Sequence, residues 1–195
     1  MEQLEVIRLV ADRLEKLGTP YFITGSIASS YYGIPRYTHD LDVVITISEE
    51  DIRAIMRLFE HEGYLSQEGI RDALSGTGMF NFIHIESGLK VDFWIDRGEP
   101  FTKSCFERVR QVEISDRLLV KMASPEDVLL HKIYWDHLTP SERQIRDVVS
   151  KQGMHKVLPN TRLIRDSITL SPHDSQTRLF RILALRGTGP PWRFT

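Results

Sequence analysis

The sequence predicts an α/β (α+β) fold: a small mixed sheet with helices packed on it, followed by a helical pair. Three observations predict this class. In the first half of the chain, segments with helical spacing of apolar residues alternate with short apolar runs. Residues 79–86 and 89–95, joined by Ser87-Gly88, have the pattern of a β-hairpin. Two helix starts of the Ser/Thr-Pro type then follow, at Ser124-Pro125 and Thr139-Pro140.

Each element up to the hairpin has its own local signal. Gly18 ends an amphipathic first helix and Pro20 prevents its continuation. Ser48 and Asp51 form a capping box that starts a later helix. The predicted elements are, in order, a helix over 2–17, a strand over 21–24, a short helix from 26, a strand over 40–47 and a helix that closes near Gly63.

The remaining predictions concern the stretch before the hairpin, the elements after it and the division into domains. The polar stretch 66–78, with three glycines, predicts a loop. After the hairpin we expect a short helix near 103–110, apolar runs at 111–122, a helix over 125–137 and a second helix through about Lys151. The predicted domains are a core over 1–122, a helical pair over 123–152 that packs on it, and a basic, proline-containing tail over 153–195.

Composition sets the broad class. The chain has 195 residues, with 41% hydrophobic and 27% charged residues, as expected of a globular domain. There is no apolar run of membrane-spanning length and no signal-peptide pattern, and one cysteine allows no internal disulfide, so we expect a cytoplasmic protein without a membrane partner. The net charge of −2 argues against broad nucleic-acid binding, although residues 156–195 carry seven basic and two acidic residues.

Candidate site residues cluster between Tyr21 and Ile47. Asp40 and Asp42 begin a predicted strand, and residues two apart in a strand share a face, so their carboxylates project side by side. Carboxylate oxygens suit Mg²⁺ or Mn²⁺, although such a pair is also common at a solvated strand end. Gly25-Ser26 lies between a strand and a helix, where a backbone can approach a ligand and free N–H groups attract phosphate.

A third carboxylate lies on the second strand of the hairpin. Asp92 is flanked by apolar residues, and a charge there is costly unless it has a partner. We therefore expect it to complete the Asp40/Asp42 cluster; the alternative is a polar residue on an open sheet face. Lys90 lies on the same strand face, where it could touch a phosphate or neutralise the acids.

Together these residues resemble the DNA polymerase β-type nucleotidyltransferase superfamily. The resemblance rests on Gly25-Ser26, thirteen intervening residues, the acidic-apolar-acidic-apolar run of Asp40 to Val43, and the later Asp92. The phrase Arg36 to Asp42 is similar to the AbiEii-like and minimal nucleotidyltransferase branches. The likeness covers roughly residues 1–150, and the tail departs from it.

The resemblance implies a chemistry and its residues. It implies that Asp40, Asp42 and Asp92 are catalytic and hold Mg²⁺ or Mn²⁺, and that a nucleoside triphosphate is the substrate. Gly25 and Ser26 would cradle its phosphates. Arg36 and Lys132 are further candidate phosphate contacts, each with the alternative of being a solvated surface charge.

The resemblance also implies that a nucleoside monophosphate moves to a hydroxyl of RNA, protein or a small molecule. A toxin role with an antitoxin-like partner follows from the AbiEii-like branch alone. Two alternatives stay open: a nucleotide- or partner-binding module of the same fold without turnover, and RNA binding through the basic tail.

Overall fold

The computed structural model describes residues 3–33 and 35–138, with side chains described through residue 132. Its strands are β1 (Tyr21–Thr24), β2 (Asp40–Ile45), β3 (Gly63–Leu65), β4 (Met79–His84), β5 (Lys90–Ile95), β6 (Arg110–Ser115) and β7 (Leu118–Met122). Its α-helices are α1 (Gln3–Leu17), α2 (Gly25–Tyr32), α3 (Ile52–Phe59), α4 (Gln67–Asp72), α5 (Pro100–Glu107) and α6 (Pro125–Leu138).

The strands form one mixed sheet in the order β3-β4-β5-β2-β1-β7-β6. β2 and β5 are parallel neighbours at its centre, and β1 runs antiparallel to β2. β4 and β5 form the expected antiparallel hairpin. The predicted α/β class with a mixed sheet is therefore confirmed, and β2 and β5, which carry the predicted acids, lie side by side.

One face of the central strands is apolar and covered by helices. Leu41, Val43, Val91 and Phe93 are almost fully buried on β2 and β5. The ring of Phe59, at the end of α3, lies 6.0 Å from that of Phe93, centroid to centroid. Burial of these side chains provides most of the driving force for closing the sheet against its helices, and it fixes which residues face the other way.

Local signals in the sequence account for several boundaries. Gly18, which follows α1, has a φ of +74°, a left-handed conformation that glycine adopts without strain. The capping box predicted at Ser48 and Asp51 is present, since the Asp51 carboxylate accepts from the Ser48 backbone N–H at 2.8 Å. The helix that it begins ends at Phe59, a turn before Gly63.

The loop predicted over 66–78 is wrong. Ser66 caps α4 by accepting from the Gly69 N–H at 3.0 Å, and a π-helical turn over Ala73–Thr77 follows. Ile70 and Ala73 are fully buried in this segment. Two buried side chains stabilise a helix whose glycines disfavour it, because tertiary packing outweighs weak local propensity. The short edge strand β3, which precedes α4, was also missed.

The helix that follows Ser124 is confirmed as α6, which packs against α2. The predicted second helix through about Lys151 and the tail over 153–195 lie outside the described residues. The division into domains stays a prediction. Of the helices within residues 3–33 and 35–138, none has both the length and the hydropathy needed to cross a bilayer.

Candidate active site

The three predicted acids lie on one face of the sheet. Asp42 of β2 is the register partner of Asp92 of β5 and, on its other side, of Thr24 of β1. Asp40 is two residues before Asp42 and therefore projects to the same face. The parallel pairing of β2 with β5 thus brings together carboxylates that are fifty residues apart in the chain.

The environment of Asp42 disfavours its charge. Burial raises the pKa of this carboxyl above its ordinary value of 3.8, and the neighbouring charges of Asp92 and Asp40 raise it further. Hydrogen bonds act in the opposite direction. The Trp94 indole donates to Asp42 Oδ1 over a long 3.4 Å, and the backbone N–H of Ser26 also donates to the carboxylate. The site therefore holds negative charge that a bound cation would stabilise.

Gly25 allows the turn after β1 to lie directly against Asp42. Its φ is +63°, and a Cβ atom built there would lie 2.6 Å from Asp42 Cγ and 2.8 Å from Asp42 Cβ. Both distances are shorter than side-chain contacts allow, so only glycine fits. The glycine of the Gly-Ser pair is therefore required for the approach of the α2 N-terminus to the acids.

Asp92 has two donors of its own. Lys90 Nζ lies 2.9 Å from Asp92 Oδ2, and Asn81 Nδ2 of β4 donates to Oδ1. The hydrogen bond to Asp92 raises the pKa of Lys90. Of the two roles considered for Lys90, neutralising the acids is the one that this contact supports.

The two remaining predicted residues, Arg36 and Lys132, lie in different parts of the fold. Arg36 Nη2 donates to Ser26 Oγ at 3.0 Å, so this guanidinium lies beside the Gly-Ser turn. Lys132 is buried in α6, the helix that packs against α2. The turn, the acids and Arg36 are thus brought together at the end of β1, while the role of Lys132 in binding phosphate stays a prediction.

The donor chemistry of the site fits a divalent metal. Asp42 and Asp92 lie on adjacent strands and are partly desolvated, and Asp40 lies beside them. Their carboxylate oxygens are ligands of the kind that Mg²⁺ and Mn²⁺ take. As the side chains are placed, no group of three His, Cys, Asp or Glu among the described residues is arranged to hold a metal ion. Asp92 is instead engaged by Lys90 and Asn81.

Comparisons with known proteins bear on the fold. No protein-family model matches the sequence, and no curated protein matches it significantly. A crystal structure of an antigenic nucleotidyltransferase-like protein from Paracoccidioides brasiliensis matches with a TM-score of 0.58 and 18% identity, covering 94% of this chain and 88% of that one. The chain has a nucleotidyltransferase-like fold.

A second solved structure has the same architecture. It is the solution structure of the antibiotic-resistance factor ANT(2'')-Ia, with a TM-score of 0.52 and 12% identity, covering 95% of each chain. At these identities the similarity concerns the nucleotidyltransferase-like fold. The narrower AbiEii-like resemblance stays a prediction from sequence.

Two residues beside the acids were not predicted as part of the site. Asn81 is the register partner of Asp92 across the β4–β5 hairpin, and Trp94 contacts Asp42 through its indole. The alternation of the predicted hairpin contained a usable signal for both. Asn81 is the polar residue between Phe80 and Phe82, and Trp94 shares the strand face of Asp92.

Proposed function

We propose that this protein is a metal-dependent nucleotidyltransferase that moves a nucleoside monophosphate from a nucleoside triphosphate to a hydroxyl acceptor. One observation carries the proposal: the register Thr24–Asp42–Asp92 lines up two carboxylates directly beside the Gly25-Ser26 turn. A phosphate-binding turn and an acidic cluster next to each other are what transfer of a phosphoryl-containing group requires.

The reaction that we propose is an in-line displacement at the α-phosphorus. The acceptor oxygen forms a new bond to that phosphorus, the bond to the bridging oxygen between the α- and β-phosphates breaks, and pyrophosphate leaves. Asp40 and Asp42, with Asp92, would hold Mg²⁺ or Mn²⁺, which when bound stabilises the charge on the attacking and leaving oxygens.

The residues of the chain supply binding, orientation and proton transfer. Gly25 and Ser26 receive the leaving phosphates at the N-terminus of α2, and Arg36 beside Ser26 adds positive charge there. Asp92 accepts the proton of the attacking hydroxyl. Lys90 and Asn81, which contact its two carboxylate oxygens, hold this group in position.

Asp92→Ala tests this proposal. Transfer of label from α-labelled nucleoside triphosphates to a cell extract should fall by a factor of about 10²–10⁴, the range for loss of a positioned general base. Nucleotide binding, read from the rise in melting temperature with nucleotide and Mg²⁺, should be largely retained because Asp42 and the turn remain. Asp116→Ala, at an exposed position between β6 and β7, is the matched control and should transfer normally.

The alternative is a nucleotide-binding module of the same fold without turnover. The contacts of Lys90 and Asn81 with Asp92 favour it, because both oxygens of that carboxylate already have donors. Wild-type protein that binds nucleotide yet labels nothing, with all four nucleotides and with both Mg²⁺ and Mn²⁺, would establish the module and overturn the enzyme. The toxin role and its antitoxin-like partner stay predictions of the sequence resemblance.

A further inference from the structure

A patch of exposed apolar side chains adjoins the acids on the same face of the sheet. Asp40 is the register partner of Lys90, Lys90 of Ile83, and Ile83 of Tyr64 on the edge strand β3. Register partners share a face, so this row runs from the acids to the sheet edge. Tyr64 is 66% exposed and Ile83 is 42% exposed.

Ile85 extends this patch. It lies two residues beyond Ile83, its backbone N–H donates to the Glu62 carbonyl at 3.1 Å, and it is 72% exposed. We call Tyr64, Ile83 and Ile85 the apolar shelf. Seven large apolar residues are exposed among the described residues, and three of them lie in this shelf. Such clustering beside a polar site is typical of a binding surface, whereas single exposed apolar residues are common.

The order of groups along the sheet assigns a side to each reactant. The Gly25-Ser26 turn follows β1, Asp42 lies on β2, Asp92 on β5 and the shelf on β4 and β3. In an in-line displacement the attacking hydroxyl enters opposite the leaving group. If pyrophosphate leaves at the Gly25-Ser26 turn, the acceptor approaches from the β4–β3 side, over the shelf.

Charge around the shelf limits what the acceptor can be. Beside the shelf, Glu60 and Glu62 precede β3 and Glu86 follows Ile85, while Lys90 is the basic register partner of Ile83. Lys90 is paired with Asp92 at 2.9 Å, and Glu62 is paired with Arg13 at 2.6 Å. This arrangement disfavours a polyanion over the shelf, since Lys90, the basic side chain of the row, already has a carboxylate partner.

We propose that the apolar shelf binds the acceptor, and that the acceptor is a small uncharged or cationic hydroxyl compound with an apolar ring or face. This inference rests on the proposed function for the role of the bound molecule. Three side chains give too little area for a stable protein partner, which needs about 1,000 Å² or more of buried surface. They suit one ring, packed against Tyr64 and Ile83, with its hydroxyl directed toward Asp92, which lies two residues along β5 from the row.

Two probe molecules with the same ring and opposite charge test the shelf. Tyramine and 4-hydroxyphenylacetate each carry a phenol, with an ammonium or a carboxylate at the other end. NMR titration of the full chain should give tyramine a dissociation constant roughly two to five times lower, as expected for a partly exposed charge. The preference should shrink as salt is added, because salt screens exposed charges.

Variants assign that binding to the shelf. Tyr64→Ala should weaken tyramine binding severalfold, and Tyr64→Phe should restore it because the ring is kept. Leu119→Ala removes an equally exposed apolar side chain from β7 and should change nothing. Equal binding of both probes, no binding of either, or tyramine binding that Tyr64→Ala leaves intact would overturn the proposal.

Labelling of extract separates this inference from the proposed function. With wild type, the shelf proposal expects label in the small-molecule filtrate; label that is removed by ribonuclease or by protease would overturn it in favour of RNA or protein. A chain that neither binds nucleotide nor transfers label would refute the nucleotidyltransferase. The probe titrations would still decide on their own whether the shelf binds a ring of the stated charge.

Discussion

Two carboxylates of this molecule, the fully buried Asp127 and the half-buried Asp42, have opposite environments. Asp127, at the start of α6, is fully buried and accepts from Arg108 Nη2 at 2.5 Å, Arg108 Nε at 3.1 Å and Ser124 Oγ at 2.7 Å. Asp42 has carboxylates as neighbours, and burial and their charges raise its pKa. A buried carboxylate with a full set of donors therefore joins elements of the fold. A carboxylate whose neighbours are other carboxylates is instead suited to bind a ligand.

The difference has a simple physical basis. A buried charge is stable only when donors replace the water that it has lost. At Asp127 the guanidinium comes from the residue after α5 and the hydroxyl from the residue before α6, so the carboxylate joins two helices. At Asp42 the strand register places Asp92 alongside, and a cation from outside the chain can supply what the protein does not.

Asp127→Ala should have the largest effect on stability. It leaves Arg108 without its partner and removes the acceptor for Ser124, so we expect a loss of about 3 kcal/mol in the free energy of unfolding. Urea denaturation measures it. The matched control is Glu126→Ala, whose carboxylate forms an exposed pair with Arg110 at 3.4 Å and should cost at most about 1 kcal/mol. Equal losses in the two variants would contradict a structural role for Asp127.

Gly25→Ala should have an intermediate effect on stability, and it should also impair nucleotide binding. The left-handed backbone alone costs an alanine about 1–2 kcal/mol, and the new methyl group must also displace the Asp42 carboxylate. We expect a larger loss of stability than in Gly18→Ala, together with loss of the rise in melting temperature that nucleotide and Mg²⁺ produce.

Gly18→Ala is the control for backbone strain. Its φ of +74° is as unfavourable for alanine, but a Cβ atom there has no heavy atom within 4 Å. It should therefore lose about 1 kcal/mol of stability and keep nucleotide binding. If both glycine variants bind nucleotide as wild type does, the close approach of Gly25 to Asp42 has no role in the site.

Asp42→Asn should have a small effect on stability, in the opposite direction. Removing a charge that burial and like-charged neighbours disfavour should stabilise the free protein by about 1 kcal/mol, as substitutions at functional sites often do. The same variant should lose the metal-dependent part of nucleotide binding. Unchanged metal-dependent binding would place the nucleotide elsewhere.

The stabilisation expected of Asp42→Asn should depend on pH, in the direction set by the raised pKa of Asp42. Because the folded pKa of Asp42 is raised above 3.8, the folded state binds this proton more tightly than the unfolded state does. The free-energy cost of keeping Asp42 ionised in the folded protein is full at neutral pH. It shrinks as the pH falls through the folded pKa toward 3.8. Urea denaturation at about pH 7 and about pH 4 should show the advantage of Asp42→Asn only at the higher pH. Asp116→Asn, at an exposed position, is the matched control.

Local signals in the sequence predict most of the elements and the candidate residues of the site. Turn and cap signals are local, which is why the ends at Gly18, Ser48 and Ser124 could be predicted. The two-residue spacing of Asp40 and Asp42 is also local, because strand geometry alone puts both on one face. The loop prediction over 66–78 failed because the helix there depends on long-range packing and has no strong local signal. Ile70 and Ala73 are helical because they are buried, and burial depends on the rest of the fold.

The assembly of the candidate site depends on strand pairing. The register of β2 with β5 sets Asp42 against Asp92 rather than Lys90, and a shift of one residue would turn Asp92 to the apolar face. The pairing of β4 with β5 brings Asn81 to Asp92. The pairing of β3 with β4 gives the sheet its exposed shelf. The β4–β5 hairpin has a local signal in its turn. The pairing of β2 with β5 joins residues fifty apart in the chain, and it forms because the sheet buries its apolar face as a whole, which no local pattern encodes.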